Sequence, residues 1–116
     1  MIQLEDTISD DWSQGDKEMM RSLAKNGPAV LHGDDLWWSA YYLAFPKGDR
    51  LLFKSGRFTL DLSVDETAGM IDQIFWHGDA SDISLSWTQY GWNIHIDTSG
   101  EETKSIIREY GSKVSR

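Results

Sequence analysis

The chain has 116 residues, a formal net charge of −8, no cysteine and an apolar share of 40%. That length sets one domain able to bury a core of its own, and that apolar share excludes a disordered acidic tail. The missing cysteines exclude disulfides and thiolate chemistry, and no apolar run approaches the roughly 20 residues of a membrane span.

The start, Met1-Ile-Gln-Leu-Glu5-Asp6, has neither the basic leader nor the apolar core of a secretory signal. The expectation is a soluble, cytoplasmic protein. Residues 16 to 26 are rich in helix formers, with Met19, Met20, Leu23 and Ala24 as an apolar stripe. The helix they predict starts between Asp11 and Asp16 and stops at the pair Gly27-Pro28. Residues 36 to 45 are crowded with aromatics and end at Pro46. Aromatics favour a pleated, half-buried surface, so the segment predicts a strand, with a buried helix as the alternative. Lys47-Gly48-Asp49 reads as a turn, residues 50 to 54 as a short strand and Ser55-Gly56 as a hairpin turn. Phe58, Leu60 and Leu62 then alternate with Arg57, Thr59 and Asp61, the period of a strand with one face inward.

Ser63-Val-Asp-Glu66 matches a capping box, which satisfies two otherwise orphaned amides at a helix start. Val64, Ala68, Ile71 and Phe75 fall on one stripe of that helix, which puts Asp65, Gly69, Asp72 and Trp76 on the opposite one. A second hairpin follows. Ile83, Leu85 and Trp87 alternate with Ser84, Ser86 and Thr88; beyond a turn near Gly91, Trp92, Ile94 and Ile96 alternate with Asn93, His95 and Asp97. A final helix is expected from Ser99, with Glu102 completing a second capping box, a stripe of Thr103, Ile106, Ile107 and Tyr110, and a stop at Gly111. Residues 112 to 116 read as a frayed tail. The expected fold is α+β, a single domain in the order α-β-β-β-α-β-β-α. It has a mainly antiparallel sheet of about five strands, with helices on one face.

The charge is unevenly placed. Residues 58 to 103 hold nine carboxylates, namely Asp61, Asp65, Glu66, Asp72, Asp79, Asp82, Asp97, Glu101 and Glu102, and no lysine or arginine, while the remainder has ten acids and eleven bases. This balance disfavours nucleic acid and anionic membranes, which need cations. The one basic patch, Lys47, Arg50, Lys54 and Arg57, reads as the solvated ends of two strands, or as a phosphate or acidic-partner contact.

Three histidines each precede an aspartate by two residues, in His32-Gly-Asp34, His77-Gly-Asp79 and His95-Ile-Asp97. Imidazole with carboxylate suits zinc or another divalent ion, but the pairs lie on different predicted elements and Gly-Asp is ordinary turn material. No Gly-x-Ser-x-Gly elbow and no Gly-rich phosphate loop occurs. The paired carboxylates Asp34-Asp35 and Glu101-Glu102 read as a turn and a helix first turn rather than a glycosidase pair. No catalytic residue, metal or cofactor is therefore assigned. Trp87 and Trp92 belong to the inner face of their hairpin and one of Trp37 and Trp38 faces inward, whereas Trp76 is set by its own helix toward solvent or over the helix end.

An acidic surface with aromatic anchors suits capture of a basic protein. Asp65, Asp72, Trp76, His77, Asp79, Asp82 and Tyr90 are the expected partner-binding residues. A small, single-domain, acidic chain without catalytic motifs resembles, across its whole length and by format, the immunity proteins of bacterial polymorphic toxin systems such as contact-dependent inhibition and Rhs loci. The resemblance implies binding and neutralisation of a cognate toxin domain, commonly a nuclease, in the cytoplasm; it carries over no individual residue. The alternatives are a phage or plasmid DNA mimic that blocks a host nuclease, a small-ligand or sugar-binding domain that uses the tryptophans, and a metal-dependent hydrolase.

Overall fold

The computed structural model describes residues 1–30, 35–55 and 58–114. The protein is α+β; among the described residues are four α-helices, a three-stranded antiparallel sheet and a separate two-stranded antiparallel ribbon. The chain divides into two compact units, Met1–Ala44 with Ser84–His95, and Phe45–Ile83 with Ile96–Arg116.

The first unit opens with a short 3-10 turn, Leu4–Thr7, whose Glu5 carboxylate accepts two hydrogen bonds from Arg21, at 2.9 and 3.0 Å. Helix α1, Gln14–Asn26, starts where the Ser13 hydroxyl accepts the Asp16 amide at 3.1 Å. It stops at Gly27, whose φ of 98° an L side chain rarely adopts. Strand β1, Ala29–Val30, pairs antiparallel with β4, Ile83–Thr88, through Ala29 opposite Leu85 and Val30 opposite Ser84. Strand β5, Gly91–Ile96, completes the order β1-β4-β5. Ile83, Ser84 and Leu85 are all buried in succession, so the expected alternation along β4 fails in its first half. A central strand covered on both faces has no solvent side for a serine to mark.

The aromatic segment is not a strand. It forms helix α2, Asp35–Ala44, and the expected element order is corrected accordingly: a helix stands between β1 and β2. The burial follows a helical period. Trp37, Ala40 and Tyr41 are buried while Leu36, Ser39 and Tyr42 are exposed. Residues four apart on a helix lie one above the other, which lets Trp37 and Tyr41 stack at 5.5 Å and 11°. Trp38 meets both rings edge-on, and the Trp37 indole N–H donates to the Ala29 carbonyl at 3.2 Å. Ring-on-ring packing along one helix face outweighs the β preference of the individual aromatics.

The second unit pairs strand β2, Arg50–Ser55, with β3, Phe58–Ser63, from Arg50 opposite Ser63 to Ser55 opposite Phe58. Ser55 therefore belongs to the ladder, and the connection expected at Ser55-Gly56 lies otherwise outside the described residues, as does Arg57 of the basic patch. Helix α3, Val64–His77, begins with the predicted capping box: the Glu66 amide donates to the Ser63 hydroxyl at 3.0 Å and the Ser63 amide to the Glu66 carboxylate at 2.9 Å. Val64, Thr67, Ala68, Met70, Ile71 and Ile74 are buried along it, and α3 packs on α4 and on β3.

Helix α4, Glu101–Val114, corrects the expectation at both ends. Its start is not capped by Ser99, whose amide instead donates to the Asp97 carboxylate at 3.2 Å. The capping carboxylate is Asp79, which accepts the Glu102 amide at 3.4 Å, the Thr103 amide at 3.0 Å and the Thr103 hydroxyl at 2.8 Å. The Asp79 amide in turn donates to that hydroxyl at 3.0 Å, which reproduces the reciprocal logic of a capping box between partners 24 residues apart. A Cβ at Gly100 would overlap the Asp79 carboxylate. Gly100→Ala should therefore lower the thermal midpoint by displacing this cap, while Gly15→Ala, whose nearest neighbour is 4.0 Å away, should not; thermal melts of the two variants decide this. Nor does α4 stop at Gly111. A Cβ there would stand 2.8 Å from Leu60, so the glycine marks a close approach to β3 and the helix runs on to Val114. Of the expected frayed tail, residues 112 to 114 are thus helical, and 115 and 116 lie outside the described residues.

Candidate functional site

Helix α3 divides as its sequence period requires. Opposite its buried stripe lie Asp65, Asp72, Gln73, Trp76 and His77, all exposed, with Trp76 at 68%. A large apolar ring is thus presented to solvent on the same face as two carboxylates. Phe75 meets the Trp76 ring edge-on at 5.0 Å and 81°, which restricts the indole without covering it. Asp65 and Asp72 make no hydrogen bond or ion pair among the described residues.

Tyr110 of α4 is a residue that sequence reasoning missed at this face. Its hydroxyl lies where a Cβ at Gly69 would come within 2.7 Å, so the glycine of the outward stripe is the seat of a phenol. Burial, with the nearby Glu66 charge, pushes the Tyr110 phenol above its ordinary range. The signal in the sequence was Gly69 itself, an interior helix glycine with no turn to make. Gln73, exposed beside Asp72, was also passed over.

Not every expected residue joins this face. Asp79 is spent on α4, and Asp82 is half-buried ahead of β4, where its carbonyl accepts the Asp97 amide at 2.8 Å. Tyr90 is 80% exposed but belongs to the first unit, at the β4–β5 turn, where its amide donates to the Thr88 hydroxyl at 3.1 Å. The structure therefore gathers Asp65, Asp72, Trp76 and His77 on one helix, while Asp79 and Asp82 follow that helix in the same unit and Tyr90 belongs to the other unit.

The acidic window is likewise partly consumed within the fold. Asp61 pairs with Arg50 at 3.1 Å and Glu66 stands 3.7 Å from the same guanidinium, which takes one cation out of the basic patch. Glu101 lies 3.4 Å from Lys104. Asp97 accepts the Ser81 hydroxyl at 2.8 Å, the Ser81 amide at 3.1 Å and the Ser99 amide at 3.2 Å. Two of the three His-x-Asp pairs thus commit their carboxylates to amides and hydroxyls; the third, His32 and Asp34, lies outside the described residues. Among the described residues no group of three or more histidine, aspartate or glutamate side chains is placed to hold a metal ion.

Hydrogen bonds to the ionised form lower both carboxyls, from Ser81 above all at Asp97, which is held well below the usual range, and from Thr103 above all at Asp79. A depressed folded pKa contributes stability above the unfolded value of about 4 and loses it as pH falls through the folded value. The fold should accordingly weaken in acid below about pH 5. Asp79→Asn and Asp97→Asn should each lower the thermal midpoint at neutral pH and flatten its fall in acid, which melts along a pH series will show.

No family model, no curated protein and no solved structure matches the chain. No helix among the described residues is long and apolar enough to cross a membrane.

Proposed function

We propose that the protein is an immunity-type inhibitor that docks on a basic toxin domain in the cytoplasm through the outward face of α3 and blocks it without doing chemistry. The observation that carries this reading is Trp76, 68% exposed on a regular helix, one turn from the carboxylate of Asp72, which has no partner among the described residues. Exposed tryptophan is the residue type that most often anchors an interface, and truncation of such an anchor costs about 2 kcal/mol or more. Unpaired carboxylates beside it raise the encounter rate with a cationic surface by about 10 to 1,000-fold at low salt. An enzyme that grips nucleic acid presents such a surface. A DNA mimic is less well supported. It needs carboxylates arrayed over its surface, and here Asp61, Asp79 and Asp97 are turned to internal partners.

The test starts from the gene beside the chain's own: a large open reading frame there whose C-terminal domain is basic is expected, and that domain is co-expressed with the chain. The two should co-purify as a complex that weakens with salt, and the toxin's activity should fall in proportion to the complex formed. A complex that survives Asp65→Asn, Asp72→Asn and Trp76→Ala together rules out this docking face.

A further inference from the structure

We infer that Asp72 and Trp76 form a cradle for one arginine side chain of the partner, and that this contact distinguishes arginine from lysine. The inference rests on the reading of the α3 face as the docking surface and adds the chemistry of the group that it takes.

Residues four apart on a helix are neighbours, with about 5–6 Å between their Cβ atoms. Helical side chains lean toward the N-terminus of their helix, which is the direction in which Asp72 lies from Trp76. Phe75 fixes the indole from its edge at 5.0 Å, and most of the Trp76 surface stays open to solvent. Asp72 is exposed and has no hydrogen bond or ion pair among the described residues, so its oxygens are available to a donor from outside. Within the same unit the Arg50 guanidinium is held by Asp61 and Glu66 rather than by Asp72.

A carboxylate alone would take either cation, and an indole alone would take any apolar group. Together, one turn apart, they ask for a ligand with a flat face for the ring and an edge of N–H donors for the carboxylate. Guanidinium is such a group: planar, weakly hydrated and able to pair through two parallel N–H groups. Ammonium is compact and strongly hydrated, and has no face to stack. Arginine is also the commoner cation found over tryptophan. The partner is therefore a protein segment that presents arginine from a basic surface.

The experiment uses the isotopically labelled full chain and two probes of equal charge, hexa-arginine and hexa-lysine peptides. The indole N–H resonance of Trp76, assigned by its loss in Trp76→Phe, reports on the site. Hexa-arginine should shift this signal saturably and bind about fivefold more tightly than hexa-lysine, as expected for a cation–π contact at an exposed site. Asp72→Asn should weaken the arginine peptide, and Trp76→Ala should abolish the preference and leave weak, salt-sensitive attraction. Both residues are exposed, so both variants should stay folded, which circular dichroism confirms. Equal affinity of the two peptides, or a preference that survives Trp76→Ala, overturns the cradle. If the preference is missing while the toxin complex still depends on Asp72 and Trp76, only the cradle is wrong. If the preference holds and the complex ignores both residues, the cradle stands and the docking face falls.

Discussion

Trp76→Ala is expected to weaken the complex with the basic toxin domain by about 30-fold, the equivalent of about 2 kcal/mol. Nearly all of the loss should appear in the dissociation rate, because a buried anchor acts after encounter. Asp65→Asn with Asp72→Asn should act differently, by slowing association about tenfold at low salt and hardly at all at high salt, where exposed charges are screened. The three side chains lie on the solvent face of α3, and neither aspartate has an internal partner among the described residues. The free protein's stability should therefore stay within about 0.5 kcal/mol of the unaltered chain. Association and dissociation rates measured at two ionic strengths, beside a denaturant titration of each free variant, separate these effects. Unchanged rates in both variants would remove α3 as the docking element.

Trp37→Ala is expected to cost about 3–5 kcal/mol, the range for truncating a large buried aromatic. Against a total stability of about 5–15 kcal/mol, that is enough to populate the unfolded state visibly. Trp37 is 2% exposed and stacks on Tyr41, and its indole N–H is the donor for the Ala29 carbonyl. Trp37→Phe keeps most of the packing but removes the donor, with an expected loss of about 1–3 kcal/mol for the orphaned carbonyl. Ser39→Pro tests the helix itself. Ser39 is exposed in the middle of α2, so its side chain contributes little, but proline there breaks the backbone ladder at a cost of about 3 kcal/mol or more. Urea titrations rank the three variants. A mild effect of Ser39→Pro would argue that the segment is extended after all.

The outward face of α3 was legible because everything that defines it is local. The capping box at Ser63 and Glu66 sets where the helix starts, and the apolar stripe from Val64 sets which side is buried. A rotation of 100° per residue then carries Asp65 and Asp72 to solvent with no further information. The stop of α1 at Gly27 and the pairing of β2 with β3 were legible for the same reason, whereas the start of α1 was open between Asp11 and Asp16 and the ladder runs on to Ser55 opposite Phe58 instead of turning at Ser55-Gly56. The aromatic run at 36 to 45 was not. Trp37, Tyr41 and their neighbours fit either a pleat or a helix, and only the stacking of rings four residues apart, with the bond from Trp37 to Ala29, selects the helix.

The amino-acid sequence by itself determined what a single turn can signal: the capping box that starts α3, the apolar stripe behind it and the outward placing of Asp65 and Asp72. Tertiary structure alone decided which acids remain available. Asp79 and Asp72 look alike in the sequence, yet Asp79 caps a helix that begins more than twenty residues later while Asp72 is left unpaired among the described residues. It also decided that Gly111 is passed through rather than obeyed as a stop, because Leu60 of a distant strand fills the space beside it. The physical reason is the same in each case: a carboxylate or a glycine carries no mark of its partner, and the partner is brought near only when the chain closes on itself.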